Sequence, residues 1–234
     1  MSYERVLGVY AHPDDADVGA GGTLARLAAE GAEVSIVVAT LGDAGGFEAE
    51  GQDNISEVRR QEQIEAAAAL GITTVTYLDG YRDGELRVTR ELIRDVVAHI
   101  RAHRPSLVLS MTPEHNWDSV ASSHPDHRAI GEATVQALYP AVGNPFAFRE
   151  LLAEGLEPWT VGEVWLQGHQ HPNFYSEFSA AELDKKVAAL RCHASQFQDM
   201  EGFIGWIRED AQNTAVAGGV DGPYAEAFLR YFVK

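Results

Sequence analysis

The segment Arg5-Val-Leu-Gly-Val-Tyr10, followed at once by Ala11-His-Pro-Asp-Asp-Ala-Asp-Val-Gly-Ala-Gly-Gly22, decides the fold. Its first half is a short apolar run, which is typical of a strand buried on both faces. Its second half becomes polar and then enters an apolar pattern of helical spacing at residues 21–30. A buried strand that leads through a tight turn into a helix begins a βαβ unit.

The same alternation of strand and helix continues along the chain. Four further apolar runs predict buried strands, at residues 33–40, 72–78, 106–111 and 161–167. Helical spacing marks the segments at residues 56–70, 89–104, 125–138 and 180–196. This rhythm favours right-handed crossovers and a mostly parallel sheet. We predict one α/β domain over residues 1–234, with a Rossmann-like sheet, helices on both faces and an active site at the carboxyl ends of the strands.

The excess of acidic residues limits the classes of partner that we expect this protein to bind. The 234 residues include 35 acidic and 18 basic side chains, a formal net charge of −17. A surface this acidic repels phosphate backbones and anionic lipids, so we expect neither a nucleic-acid nor a membrane partner. The sequence shows no bilayer-spanning apolar run and no apolar signal region, and its single cysteine, Cys192, excludes a disulfide within the chain. We expect a cytoplasmic protein that acts on a small molecule, and a homo-oligomer stays possible.

Two His-Pro-Asp motifs follow predicted strands: His12-Pro-Asp-Asp15 after the first strand and His124-Pro-Asp-His127 beyond the fourth. Each motif alone fits simple helix initiation, because Pro favours the first helical turn and Asp caps helix N termini. Together they bring several imidazoles and carboxylates to one edge of the sheet. These groups are ligands of Zn²⁺ and related divalent ions, and three protein ligands with an open position form the catalytic arrangement.

Other phosphate- and acyl-transfer motifs do not fit the sequence. The glycine cluster at residues 19–22 lacks the dinucleotide-binding pattern, because Leu24 takes the place of its last glycine. There is no Gly-x-Ser-x-Gly elbow and no phosphate-binding Gly-x-x-x-x-Gly-Lys loop. Besides a metal-dependent enzyme of another kind, two interpretations of the motifs stay open. One is a non-catalytic metal- or sugar-binding module, and the other is a metallophosphoesterase, for which Leu41-Gly-Asp43 would supply a Gly-Asp ligand motif.

The two motifs also carry a family resemblance. Ala11-His-Pro-Asp-Asp15 ahead of a Gly-Gly helix start, with the later His124-Pro-Asp-His127, resembles the LmbE-like/PIG-L family of zinc-dependent N-deacetylases. Further similar segments extend along nearly the whole chain: Arg59-Arg-Gln-Glu62, Asp184-Lys-Lys186, His193-Ala-Ser-Gln196 and Ala225-Glu-Ala-Phe228. Ala16 departs from the family, which usually has Glu there. We expect this change to alter hydrogen bonding around the ligands rather than to remove a ligand.

The resemblance implies a role for each motif residue. His12, Asp15 and His127 would hold one Zn²⁺ per chain, or another divalent transition metal. Asp14 would act as general base, and His124, in its protonated form, would stabilise the tetrahedral oxyanion together with the metal. The implied reaction is hydrolysis of an N-acetyl amide on an amino sugar or an amino-sugar conjugate, which gives acetate and a free amine.

Three further positions carry less defined expectations. By resemblance Arg59 would contact the substrate, although a solvated helical arginine fits the pattern equally well. Asp126 would orient His124, support a metal ligand or cap the helix that follows. Ser122 stands where some family members have Tyr, which is a second departure from the family pattern.

Overall fold

Seven strands form one sheet within the residues that this computed structural model describes, 3–47, 52–118, 120 and 123–233. Ser122 lies outside them. The strands are β1 (Arg5–Tyr10), β2 (Glu33–Val38), β3 (Thr74–Tyr77), β4 (Leu107–Met111), β5 (Glu163–Gln167), β6 (Phe174–Phe178) and β7 (Tyr224–Phe232). Their order is β3-β2-β1-β4-β5-β7-β6, and only the pairs that involve β7 are antiparallel. The predicted Rossmann-like, mostly parallel sheet is confirmed.

Helices cover the sheet in two layers. They are α1 (Asp15–Ala29), α2 (Ile55–Leu70), α3 (Arg90–His103), α4 (Pro125–Gln136), α5 (Arg149–Ala153), α6 (Ala180–Cys192) and α7 (Met200–Gly218). In one layer α1, α2 and α6 pack against one another, and in the other α3 and α4 pack over β1 and β4. The helix predicted from residue 21 begins earlier, because the polar turn after β1 already forms its first turn.

The core lies between these layers and the centre of the sheet. Val9, Ile36 and Leu109 on the central strands are fully buried, as are Leu24 of α1 and Ile130 of α4. Within the described residues, no helix is long and apolar enough to cross a membrane. The single-domain extent and the cytoplasmic location stay predictions.

The strand order explains why the two His-Pro-Asp motifs meet. Strands β1 and β4 are direct parallel neighbours, with Val9 paired to Ser110. The chain crosses from β1 to β2 on one side and reaches β4 on the other, so the sheet has its topological switch point between β1 and β4. Loops that leave neighbouring strands at such a point diverge and form a crevice. The motifs therefore emerge beside each other at the carboxyl edge.

The glycine cluster in α1 serves close packing. A Cβ on Gly19 would lie 2.2 Å from Nε2 of Gln167, and one on Gly22 would lie 2.6 Å from the Phe178 ring. The space at Gly19 lets the Gln167 amide donate to the Asp15 carbonyl at 3.0 Å. These glycines thus let the β5 and β6 segments approach the helix that carries Asp15.

Candidate active site

The turn after β1 directs the Asp14 carboxylate into a cavity. Asp14 has φ 96°, a left-handed conformation that is uncommon for residues with a side chain. Its backbone N–H donates to Oε1 of Gln63 at 2.7 Å, and its carboxylate accepts from Nη2 of Arg59 at 3.2 Å. Asp14 is the N-cap residue of α1, but its side chain makes no capping hydrogen bond, so its carboxylate is left for other contacts. Burial and the neighbouring charge of Asp15 raise the pKa of Asp14 to about 6.

Asp15, the first residue of α1, faces the imidazoles instead. Its Oδ2 accepts from the backbone N–H of Ala11 at 3.1 Å and of His12 at 2.8 Å. Its Oδ1 lies 2.9 Å from Nε2 of His127. Burial opposes a charged carboxylate, but the His127 and His12 rings outweigh it and hold the pKa of Asp15 well below its usual value. Two adjacent carboxylates thus occupy different environments.

His12 lies between two sets of partners. Its Nδ1 is 3.2 Å from Nε2 of His127 and 3.6 Å from Oδ2 of Asp15. Its Nε2 is 3.0 Å from Oδ1 of Asp83 and 3.2 Å from Oδ2 of Asp126. Burial favours the neutral ring, but the surrounding carboxylates raise the pKa of His12 to about 12. This concentration of acceptors around one imidazole indicates a place built for positive charge.

The three predicted metal ligands converge in one cluster. The distances among the facing atoms of His12, Asp15 and His127 are 2.9, 3.2 and 3.6 Å. Ligand atoms of a tetrahedral zinc site lie about 3.3 Å apart, so this spacing fits a single ion. A metal-bound histidine typically donates its other ring N–H to a carboxylate, as Nε2 of His12 can here. The residues therefore fit a divalent transition metal.

Two other groupings are also close enough to hold an ion. The ligand atoms of His12, His124 and His127 lie within 4.8 Å of one another, and so do those of His12, Asp83 and Asp126. The second grouping uses Nε2 of His12, opposite to the nitrogen that faces Asp15 and His127. We assign that side to orienting carboxylates, because Asp126 is already held by backbone donors.

Asp126 is fully buried and fixes His12 rather than the helix end. Its carboxylate accepts from the backbone N–H of Gly84 at 2.7 Å and of Leu86 at 3.2 Å, besides its contact with His12. The helix cap is His124, whose Nδ1 accepts from the backbone N–H of Asp126 at 3.2 Å. Of the three interpretations of Asp126, the structure favours support of a ligand histidine.

The hydrogen bonding of His124 favours its neutral ring. Its Nδ1 accepts from a backbone N–H, an arrangement that leaves the ring proton on Nε2. Burial lowers the pKa of His124, and the nearby His12 and His127 rings lower it further. The role of His124 toward the oxyanion, and the protonated form expected for it, stay predictions. A neutral ring can still donate from Nε2.

Arg59 lies at the site, but its guanidinium is hydrogen-bonded to other groups of the protein. Its guanidinium is buried and donates to the carbonyls of Pro13 at 2.7 Å and Gly42 at 3.0 Å, in addition to Asp14. The solvated-arginine interpretation is wrong. These contacts fix the turn that presents Asp14, and contact of Arg59 with a substrate stays a prediction.

Two features of the site were not predicted from sequence. Asp83 lies in the loop after β3, at the same carboxyl edge as both motifs, and this position was the signal that could have found it. His193 is fully buried, with Nε2 3.0 Å from Oδ2 of Asp17. The same oxygen accepts from Nε2 of Gln63 at 2.9 Å, and Gln63 holds the backbone of Asp14. A buried network thus links the end of α6 to the turn that carries Asp14.

A cavity of about 580 Å³ opens beside the cluster. Asp14, Asp15 and His127 line it, together with aromatic side chains of α7. This volume is within the range of about 300–1,000 Å³ that is usual for small-molecule sites. The cluster and the cavity together can bind and activate a small substrate.

Residues 7–138 match the family described as PIG-L, GlcNAc-PI de-N-acetylase. The match covers more than half of the chain and contains both His-Pro-Asp motifs. This chain belongs to the PIG-L family. The resemblance drawn from the motifs is confirmed.

Similar proteins support the membership of this PIG-L chain. The diacetylchitobiose deacetylase of Thermococcus kodakarensis is 33% identical over 197 residues, 84% of this chain and 71% of the relative. The 1D-myo-inositol 2-acetamido-2-deoxy-alpha-D-glucopyranoside deacetylase of Rhodococcus erythropolis is 33% identical over 194 residues. That match takes 69% of this chain and 62% of the relative, so the chain spans less than two thirds of that protein.

A solved structure has the same fold. The N,N′-diacetylchitobiose deacetylase from Pyrococcus horikoshii, in complex with its inhibitor, superposes with a TM-score of 0.88 at 30% identity. The superposition covers 98% of this chain and 84% of that chain. The relatives named here are thus deacetylases of acetamido sugars, and the fold of this PIG-L chain matches that of the Pyrococcus horikoshii protein over nearly its whole length.

Proposed function

We propose that this protein hydrolyses the N-acetyl amide of an amino sugar or amino-sugar conjugate and releases acetate and a free amine. The observation that carries the proposal is the separation of two adjacent carboxylates. Both line the neighbouring cavity, but Asp15 faces the imidazoles of His12 and His127, whereas the Asp14 carboxylate contacts Arg59. The named relatives, which are deacetylases of acetamido sugars, support the substrate class.

His12, Asp15 and His127 would hold one Zn²⁺ per chain, or another divalent transition metal. Such an ion, when bound, supplies Lewis-acid chemistry that activates water and polarises a carbonyl. The carboxylates of Asp83 and Asp126 orient His12, so that its Nδ1 faces the other two ligands.

Asp14 acts as the general base in this proposal. Its carboxylate takes a proton from the attacking water as the new C–O bond forms at the amide carbon. The same group then returns that proton to the nitrogen as the C–N bond breaks, which leaves acetate and an amine. Arg59 and Gln63 hold the turn in its left-handed conformation, and this keeps the base in position.

His124 stabilises the oxyanion of the tetrahedral intermediate. With Nδ1 occupied by the backbone N–H of Asp126, its Nε2–H is the available donor. The ring lies close to those of His12 and His127, with centroids 4.8 and 5.2 Å apart, so it belongs to the same cluster. Preorganised donors of this kind commonly contribute ~10²–10³ in rate.

The alternatives have less support. A binding module needs no strained carboxylate beside its ligand set, yet Asp14 occupies that place. For a metallophosphoesterase, Asp43 would have to join the cluster. Instead its carboxylate accepts from the backbone N–H of Asp83 at 2.9 Å and pairs with Arg82 at 3.2 Å.

The test is acetate release measured alongside metal content. Untagged protein is dialysed, analysed for bound metal, loaded with Zn²⁺ and incubated with N,N′-diacetylchitobiose and N-acetylglucosamine. We expect about one Zn²⁺ per chain and equal amounts of acetate and new amine. Protein that takes up no metal, or metal-loaded protein that releases acetate from neither sugar, would overturn the proposal.

A further inference from the structure

One face of α7 lines the cavity beside the catalytic cluster. Phe203, Trp206, Asp210 and Thr214 all contribute to the cavity wall, and their spacing of three or four residues places them on one side of the helix. Phe197, just before the helix, lines the same cavity. None of these residues belongs to the catalytic cluster described above. They form a second, separate wall of the same space.

The aromatic side chains of this wall form a stack. The rings of Phe197 and Phe203 have centroids 4.1 Å apart and planes within 15° of parallel. Phe203 and Trp206 have centroids 5.7 Å apart and planes within 29°. Trp206 is 52% exposed, so the stack ends in an open indole. Phe203 and Trp206 are called the α7 plate below.

Polar groups border the α7 plate. Asp210 and Thr214 follow Trp206 at one-turn intervals and line the same cavity. A flat apolar surface beside hydroxyl and carboxylate groups matches a pyranose ring, which has C–H faces and a polar rim. A purely apolar group would leave the polar part of this wall without a partner.

The charges along the cavity restrict which second chemical group of a substrate could lie against the α7 plate. Asp210 lines the cavity beside the α7 plate, and the side chains of Lys186 and Glu226 neutralise each other at 2.6 Å. A cation bound at the cluster would offset the charges of Asp14 and Asp15. A phosphate or carboxylate on the second group would therefore face the Asp210 carboxylate and be repelled. An uncharged glycoside meets no such penalty.

We propose that the α7 plate binds a second, uncharged sugar ring of the substrate, next to the ring whose acetamide reaches Asp14. This inference rests on the proposed function and narrows its substrate class to neutral glycosides of at least two rings. The cavity of about 580 Å³ continues from Asp14 to Trp206, so both rings would occupy one continuous space.

The kinetic test compares a two-ring and a one-ring substrate in three variants. We expect Trp206→Ala to lower kcat/KM for N,N′-diacetylchitobiose about tenfold, while kcat/KM for N-acetylglucosamine changes little. Trp206→Phe keeps an aromatic face and should retain most of the preference. Val216→Ala, an 82% exposed position on the same helix, is the matched control and should leave both substrates unchanged. The wild type should also prefer the disaccharide to N-acetylglucosamine 1-phosphate.

A binding measurement separates this inference from the proposed function. Calorimetry with N,N′-diacetylchitobiose on Asp14→Asn protein should show that a further Trp206→Ala change weakens binding about tenfold, whether or not the chain is a deacetylase. Absence of acetate release in the wild type would overturn the proposed function alone. Equal losses for both sugars in Trp206→Ala, or disaccharide binding unchanged by that substitution, would overturn the α7 plate as a sugar site.

Discussion

The three imidazoles of the cluster differ in which nitrogen is free for chemistry. Nδ1 of His12 and Nε2 of His127 face each other, whereas Nδ1 of His124 accepts a backbone N–H. His124 thus retains one nitrogen, which would be either a donor to the oxyanion or a third imidazole ligand. The position of Asp15 against His127 favours the first role, since it completes the ligand set without His124.

Replacement of His124 distinguishes these roles. We expect His124→Ala to keep about one metal per chain and to lose roughly 10²–10³ in kcat, because an oxyanion donor is removed. Elemental analysis and acetate-release kinetics on the same preparation measure both. His103→Ala, at the far end of α3, controls for the loss of a histidine and should behave as wild type. Loss of the metal in His124→Ala would instead make His124 a ligand.

At the scale of elements, a buried ion pair connects three of them. Nζ of Lys186 on α6 lies 2.6 Å from Oε1 of Glu226 on β7, and both side chains are buried. The Glu226 carboxylate also accepts from the backbone N–H of Gly22 at 3.0 Å and of Thr23 at 2.8 Å in α1. The ion pair therefore fixes α1, the helix that begins at Asp15, against α6 and β7.

Breaking this pair should destabilise the fold strongly. Lys186→Met leaves a buried carboxylate without its cation, which commonly costs about 3–5 kcal/mol. We expect a loss of that size in the free energy of unfolding by urea. The double variant Lys186→Met with Glu226→Gln should recover part of it, and the neighbouring Lys185→Met should change little. A Lys186→Met protein as stable as wild type would show that the pair contributes nothing to the packing of α1.

On the scale of the whole molecule, the sequence predicts the parallel part of the sheet well. Strands β1, β2, β4 and β5 are buried on both faces, so they appear as continuous apolar runs. Strand β3, predicted to be buried, is at the edge of the sheet, and its residues are only half-buried or exposed. Strand β7 carries Glu226 and Arg230 among its apolar residues, since it pairs at the antiparallel side of the sheet, and it was not predicted. Strand β6 and helix α7 were missed as well, and so was α5, which contains the buried Leu151.

The residues of the candidate site also fall into two groups: those that a short sequence motif marks, and those that meet only in the folded chain. Both His-Pro-Asp motifs are local patterns, and the order of strands β1 and β4 brings them together as predicted. Asp83 has no motif around it and meets His12 only through the fold. The burial of Arg59 likewise depends on the carbonyls of Pro13 and Gly42, which lie far from it in sequence.

Removal of the metal should affect activity far more than structure. The cluster lies at the edge of the sheet, and the apolar core between the helix layers contains none of the three ligands. We expect dialysis against a chelator to abolish acetate release while the far-UV circular dichroism stays unchanged, and added Zn²⁺ to restore turnover. Unfolding of the protein on chelation would contradict the prediction that the fold does not depend on the metal. Full activity in protein shown by elemental analysis to be free of metal would contradict the prediction that activity does.

The most direct test of the account is the turnover of metal-loaded Asp14→Asn. The substitution keeps the shape of the side chain but removes its ability to take a proton. Because general-base catalysis typically contributes ~10²–10⁴, kcat for acetate release should fall by about that factor. Metal content should stay at the wild-type level, since Asp15 and not Asp14 faces His12 and His127. Near-wild-type turnover in Asp14→Asn protein with its full metal content would contradict the assignment of Asp14 as the general base beside the metal ligand Asp15.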